Sequence, residues 1–171
     1  MKIYNNLFED MTSLESIFRA WDEFKKGKRN KQDVQIFEFN LEDNLFDLCD
    51  SLKTQSYIHN SYNGFYIRDP KIRFIHKATV RDRVVHHIIY QTLNPIFEPT
   101  FVADSFSCRE NKGTHKAVER LRYFLRKIYQ AHGRCFILKC DIKKFFASID
   151  HEILLALISK KIKDANAMWL V

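Results

Sequence analysis

Helical periodicity runs through most of this chain, and little interrupts it. Its 171 residues include only 4 glycines and 3 prolines, so long stretches carry no residue that forces a turn. Over residues 13–26, Leu14, Ile17, Phe18, Trp21 and Phe24 recur at helical spacing. Thr12 or Ser13 can cap that helix, and Thr12 with Glu15 has the spacing of a capping box. Asn40 opens a second stripe of Leu41, Leu45, Leu48 and Leu52. Thr79, with Asp82 three residues on, opens a third helix over 79–97. Its buried faces are Val84–Ile88 and Val85–Ile89–Leu93, and Pro95 bends or ends it. Residues 115–130 form a strongly amphipathic helix with a basic wet side, closed by Gly133. Asp150 caps a last helix.

Three short segments break this pattern. Residues 34–39, VQIFEF, alternate weakly and predict a short strand. Residues 134–141, RCFILKCD, predict a buried strand. Residues 62–76, YNGFYIRDPKIRFIH, predict a β-hairpin, with aromatic and β-branched residues flanking Asp69-Pro70. A turn over 68–71 would pair Arg68 with Lys71 and Tyr66 with Arg73. Those four side chains would then share one basic face, with Ile67, Ile72 and Phe74 on the other. Helices, one hairpin and one lone strand together give an α+β class with an incomplete sheet.

The net charge is +7, with 29% charged and 46% hydrophobic residues. That is the balance of a globular domain with a real core. The surplus suits a polyanionic partner, and solvated lysines alone would also produce it. Cys49, Cys108, Cys135 and Cys140 form no CxxC pair and complete no zinc pattern, which fits reduced, buried thiols in a cytoplasmic protein. No apolar run reaches membrane-spanning length, and the first residues carry no signal-peptide core.

Four features could carry chemistry. Asp141 stands at the end of the apolar run 135–138. A carboxylate at a strand end can hold a metal, but two-metal phosphoryl transfer needs several converging carboxylates. On this stretch alone a turn aspartate is the simpler reading. Arg68, Lys71 and Arg73 could grip phosphate oxygens, or could simply protect an edge strand from aggregation. His86 and His87 are adjacent and so point in different directions on a helix, unlike the i, i+4 pair that binds a metal. Gly113-Thr114 precedes a helix whose first amides attract phosphate, without a P-loop pattern.

Three stretches in order, YIRDPKIRFIHKATVRDRVVHH, PIFEPTFVADSFSCRENKGTHKAVERL and LKCDIKKFFASIDHEIL, resemble the N-terminal half of bacterial reverse transcriptases. The similar enzymes belong to group II introns, retrons and diversity-generating elements. The resemblance covers most of residues 62–160. It implies a right-hand polymerase with residues 1–60 as a helical leader, 61–133 as fingers and 134–171 as the first palm strand and its helix. It implies RNA-directed DNA synthesis, in which a DNA or RNA primer 3′-hydroxyl attacks the α-phosphorus of a dNTP on an RNA template, helped by two Mg²⁺ ions, with Mn²⁺ able to substitute.

Within that resemblance Asp141 is a magnesium ligand and the Ile142 carbonyl a second contact. Phe146 is the gate that excludes a ribose 2′-hydroxyl, while Phe145 packs inward. Arg73, Arg68 and Lys71 contact the incoming nucleotide, and Arg109, Lys112 and Lys116 contact the template. The family's Tyr-x-Asp-Asp motif is not in these 171 residues. The expectation is a chain cut before that motif, inactive alone, needing a protein partner or a C-terminal half. The alternative is a non-catalytic RNA-binding protein on a degenerate polymerase scaffold. A plain structural domain with a solvated basic face is a third reading.

Overall fold

The computed structural model describes residues 2–171. The chain divides into two compact units. One runs to Asn94 and resumes at Leu155–Val171; the other is Pro95–Leu154.

The first unit is built on helical stripes. After a short α1 (Phe8–Met11), α2 (Leu14–Lys25) starts at Ser13, whose hydroxyl accepts from the Ser16 amide at 3.1 Å. Its Ile17, Ala20, Trp21 and Phe24 are buried. They meet Leu45, Leu48, Cys49 and Leu52 of α4 (Leu41–Lys53) and Val84, Val85 and Ile88 of α5 (Val80–Phe97) in the core. Each buried valine, leucine, isoleucine or phenylalanine among them contributes about 1.5–3 kcal/mol before entropy is counted. The Cys49 thiol donates to the Thr12 carbonyl at 3.3 Å. The expectation of buried thiols holds for Cys49; Cys108 and Cys140 are exposed.

Residues 34–39 do not form the expected strand. They belong to α3 (Gln32–Phe39). Val34 is buried, and Phe37, three residues on, lies 5.3 Å from Trp21. That spacing suits a helix against α2, whereas a strand would need a ladder partner beside it. Asp33 in the first turn complements the helix dipole. It also pairs with Lys77 at 2.7 Å and with Arg83, fastening α3 to the hairpin and α5.

The end of the sequence packs against its beginning. Tyr4 bridges Ile162, and Asp164 accepts the amides of Leu7 (2.7 Å) and Phe8 (2.9 Å) while capping α8 (Ala165–Leu170). Ala167 and Leu170 are buried, and Trp169 meets Phe8 edge-on at 6.3 Å. The apolar final residues therefore have local work to do in this unit.

The hairpin forms as β1 (Asn63–Arg68) and β2 (Ile72–Lys77), but in a different register. Arg68 pairs with Ile72, Ile67 with Arg73, and Tyr66 with Phe74. Three residues, 69–71, make the connection instead of two. One extra loop residue moves β2 by one position and turns every one of its side chains to the other face. The expected basic face of Tyr66, Arg68, Lys71 and Arg73 is therefore not formed. Arg68 shares a face with Tyr66, Ile72 and Phe74, while Arg73 shares the opposite one with Phe65, Ile67 and Ile75.

In the second unit, α6 (Thr114–His132) follows Gly113 and ends at Gly133, whose φ of 68° is the left-handed C-cap that glycine tolerates. Residues 134–142 form no strand. Phe136 and Leu138 are each 87% exposed. A strand exists only within a ladder, and no described segment pairs with this one. Among the described residues the only sheet is the hairpin, so the first palm strand and the incomplete palm sheet are not observed. α7 (His151–Ser159) starts as expected, with the Asp150 carboxylate accepting from the Ile153 amide at 3.1 Å.

Candidate functional site

Asp82 is the most constrained polar side chain of the first unit. It is 0% exposed and takes hydrogen bonds from the Thr79 hydroxyl (2.6 Å), the Tyr57 hydroxyl (2.7 Å) and both the backbone and side-chain amides of Asn60 (3.3 and 3.1 Å). The Thr79 hydroxyl in return accepts from the Asp82 amide at 3.3 Å, the side-chain cap of an N-terminal residue. Burial pushes the Asp82 carboxyl up, but the donors from Thr79, Tyr57 and Asn60 outweigh it and hold the group below the usual carboxylate range. Burial and the neighbouring carboxylate push the Tyr57 phenol up. Arg81 stacks over the Tyr57 ring at 4.9 Å and donates to the Ser51 hydroxyl at 2.7 Å. The segment 55–62 is thereby held against the start of α5, next to the hairpin strands.

The hairpin presents its chemistry outward. Every residue from Asn63 to Phe74 is exposed. Arg68, Lys71 and Arg73 all lie there, without an ion-pair partner among the described residues. Beside the hairpin is an open hollow of about 490 Å³, bordered by Asp33, Phe37, Asn44, Asn63, Lys77 and Arg81. His86 faces outward on α5, while His87 is half-buried against Phe24 at 5.7 Å. Burial depresses both imidazoles, with His59 acting on His86 and Lys28 on His87 in the same direction.

The second unit holds the remaining residues of interest. Arg109 is folded inward. Its guanidinium spans the Glu98 carboxylate (2.8 and 2.9 Å) and donates to the carbonyls of Val102 (2.8 Å) and Ser105 (3.1 Å). Lys112 donates to the Ala103 carbonyl at 2.7 Å and sits over the Phe106 ring at 5.1 Å. Both cations brace the loop 98–113 ahead of α6. Lys116 makes no hydrogen bond or ion pair among the described residues. Sequence reasoning missed Glu98 as the partner of Arg109. It also missed the pair of Asp104 with Arg120 at 2.7 Å. No local spacing rule connects residues 11 or 16 apart across a loop.

Because the brace is bidentate and half sheltered, Arg109→Ala is expected to loosen this loop more than a surface substitution would. Cleavage within 101–112 by a nonspecific protease should speed up by about tenfold, the equivalent of about 1.4 kcal/mol of local opening. Unchanged cleavage would show that the loop is held by other contacts.

Asp141 lies in the exposed segment 134–142, and its carboxylate has no hydrogen-bond or ion-pair partner among the described residues. After it, Lys144 is in the left-handed region at φ 53° and leads into a 3-10 turn, Phe145–Ser148. Phe146 is 85% exposed. Phe145 does not pack inward as expected; it is half exposed and meets Phe146 at 5.4 Å. Two-metal chemistry needs several carboxylates converging on the ions. The described residues contain no group of three or more His, Cys, Asp or Glu that could hold a metal, so this donor set does not fit two ions by itself. No described helix is long and apolar enough to cross a membrane.

No protein-family model matches the chain. Several individual curated proteins are nevertheless similar to it. The group II intron-encoded protein LtrA of Lactococcus lactis is 27% identical over 133 residues, 76% of this chain and 21% of LtrA. An uncharacterized 91 kDa protein in the cob intron of Schizosaccharomyces pombe is 36% identical over 92 residues, 53% of this chain and 10% of that protein. The chain is a homologue of group II intron-encoded proteins. A further homologue is the nuclear intron maturase 1 of Arabidopsis thaliana, 24% identical over 91 residues, which is 53% of this chain and 12% of the maturase. This homologue of intron-encoded proteins spans about a quarter or less of the length of the curated relatives it matches.

Proposed function

We propose that the chain supplies the fingers and first palm segment of a cytoplasmic RNA-directed DNA polymerase, and that RNA is its macromolecular partner. The observation carrying this reading is the homology to intron-encoded proteins together with the segment CDIKKFF, in which Asp141 is an accessible carboxylate. In this reading Asp141 and the Ile142 carbonyl contribute part of a Mg²⁺ ligand set, and the other carboxylates come from a further polypeptide segment. Phe146 limits the sugar that enters. Arg73, Arg68 and Lys71 hold nucleotide or template phosphates from their positions on the hairpin and its loop. Lys116 keeps its charge available for the template strand, whereas Arg109 and Lys112 act by shaping the loop before it.

A non-catalytic role in RNA binding has its own support. One relative is named as a nuclear intron maturase. Both readings need RNA affinity dominated by phosphate contacts. Each phosphate contact on a single strand adds about −0.7 to the log–log salt slope, so three cations predict a roughly 20-fold loss of affinity from 50 to 200 mM salt. Salt-indifferent binding of a labelled single-stranded RNA would overturn the RNA partner.

The isolated chain is expected to extend no primer. Incubation with an RNA template, a DNA primer, dNTPs and Mg²⁺ should leave the primer at its starting length. Robust extension would show that the chain holds a complete catalytic centre and would overturn the assignment of a shared one.

A further inference from the structure

Six rings of the first unit form one continuous run at the surface. His86 of α5 stacks on His59, with centroids 5.4 Å apart and planes inclined by 19°. His59 lies 4.9 Å from Tyr62, and Tyr62 lies 6.2 Å from His76 of β2. His76 meets Phe74 at 4.8 Å, and Phe74 meets Tyr66 of β1 at 4.8 Å. Tyr66 is 70% exposed, Tyr62 55% and Phe74 48%.

The backbone favours this display. The register places Tyr66, Phe74 and His76 on one face of the hairpin, with Gly64 opposite His76. A Cβ on Gly64 would lie 2.3 Å from the tip of the Phe74 ring, so glycine leaves the space that the ring fills. Arg68 stands on the same face near the loop, and Lys71 is in the loop itself. The surface therefore leaves several aromatic rings partly exposed beside two unpaired cations, on a chain of net charge +7.

A flat, anionic polymer matches that surface better than another protein surface does. Unpaired bases stack on aromatic side chains whatever their identity, while cations track the backbone. We propose that Tyr66, Phe74, His76 and Tyr62 form a stacking platform for unpaired RNA bases, with Arg68 and Lys71 holding the phosphates at the loop end. The platform rests on the RNA-binding reading above and adds to it a defined site for single strands.

Leucine at position 66 or 74 keeps apolar bulk and removes the π-face. With the full chain and a labelled oligouridylate, Tyr66→Leu and Phe74→Leu should each weaken binding by about tenfold. Binding of a labelled RNA duplex should be unchanged, because its bases are not free to stack. If wild type binds the single strand and both variants bind it equally well, the platform is overturned while RNA binding stands. If wild type binds neither RNA, the RNA-binding reading itself fails. Photo-cross-linking of wild type to a 4-thiouridine oligonucleotide gives a readout that no variant's folding affects. Cross-links within residues 62–76 are expected, and cross-links found only elsewhere would overturn the platform.

Discussion

Asp82→Ala is expected to lower the stability of this chain by about 3 kcal/mol, because it deletes a charged acceptor shared by several donors. For a protein of this size that is a fall of roughly 6–12 °C in Tm. The Thr79 hydroxyl, the Tyr57 hydroxyl and the Asn60 amides lose their acceptor together. Tyr57→Phe removes one of those bonds and should cost only about 1 kcal/mol. The loss should spread outward, since the segment released from α5 carries His59 and Tyr62. Thermal unfolding of the two variants checks the ranking. An Asp82→Ala protein as stable as wild type would show that the start of α5 is held by apolar contacts alone.

The same carboxylate makes stability depend on pH. Its folded pKa lies below the ordinary value of 3.8. Above 3.8 the group is ionised in both states, and its contribution is fully present. As pH falls below 3.8 the unfolded chain takes up the proton first, and the contribution is lost through the folded pKa. Wild type should therefore lose part of its stability below about pH 4 that Asp82→Ala has already lost. Parallel stability profiles for the two proteins would contradict this.

Local signals in the sequence carried a good part of the fold. The stripes of α2 and α4 have helical spacing, and their residues Ile17, Trp21, Phe24, Leu45, Leu48 and Leu52 are buried. Thr79 with Asp82, Gly133 and Asp150 are caps whose chemistry lies within three residues of their partners. Failures came where the decision belonged to distant neighbours. VQIFEF has residues fit for a strand, but Trp21 rewards the helix by packing its ring beside Phe37. RCFILKC has strand composition, yet no described segment offers it a ladder. The hairpin was visible, but its faces depended on whether two or three residues made the turn, and Asp69-Pro70 suits both.

The candidate site was legible to a lesser degree. Asp141 and Phe146 were singled out by motif alone, and the structure places both side chains at the surface. Arg109 shows the limit of reading charge from sequence. A free arginine and one clamped by Glu98 look the same until the loop between them is folded. The ring run from His86 to Tyr66 was missed because its members come from a helix, a connecting segment and two strands. Only the folded unit puts them in order.

Asp141→Asn is the substitution with the largest expected effect on activity. In the proposed role Asp141 would hold a catalytic metal, so losing its charge should produce a deficit of about a thousandfold or more. Asparagine keeps the size of the side chain, and at an exposed site it should leave folding and RNA binding unchanged. The direct measurement is primer extension by the chain supplemented with a polypeptide that carries a Tyr-x-Asp-Asp segment from an intron-encoded relative, comparing wild type with Asp141→Asn. The account predicts extension products with wild type and none above background with the variant. Equal extension by both would contradict it, because Asp141 would then not be a metal ligand.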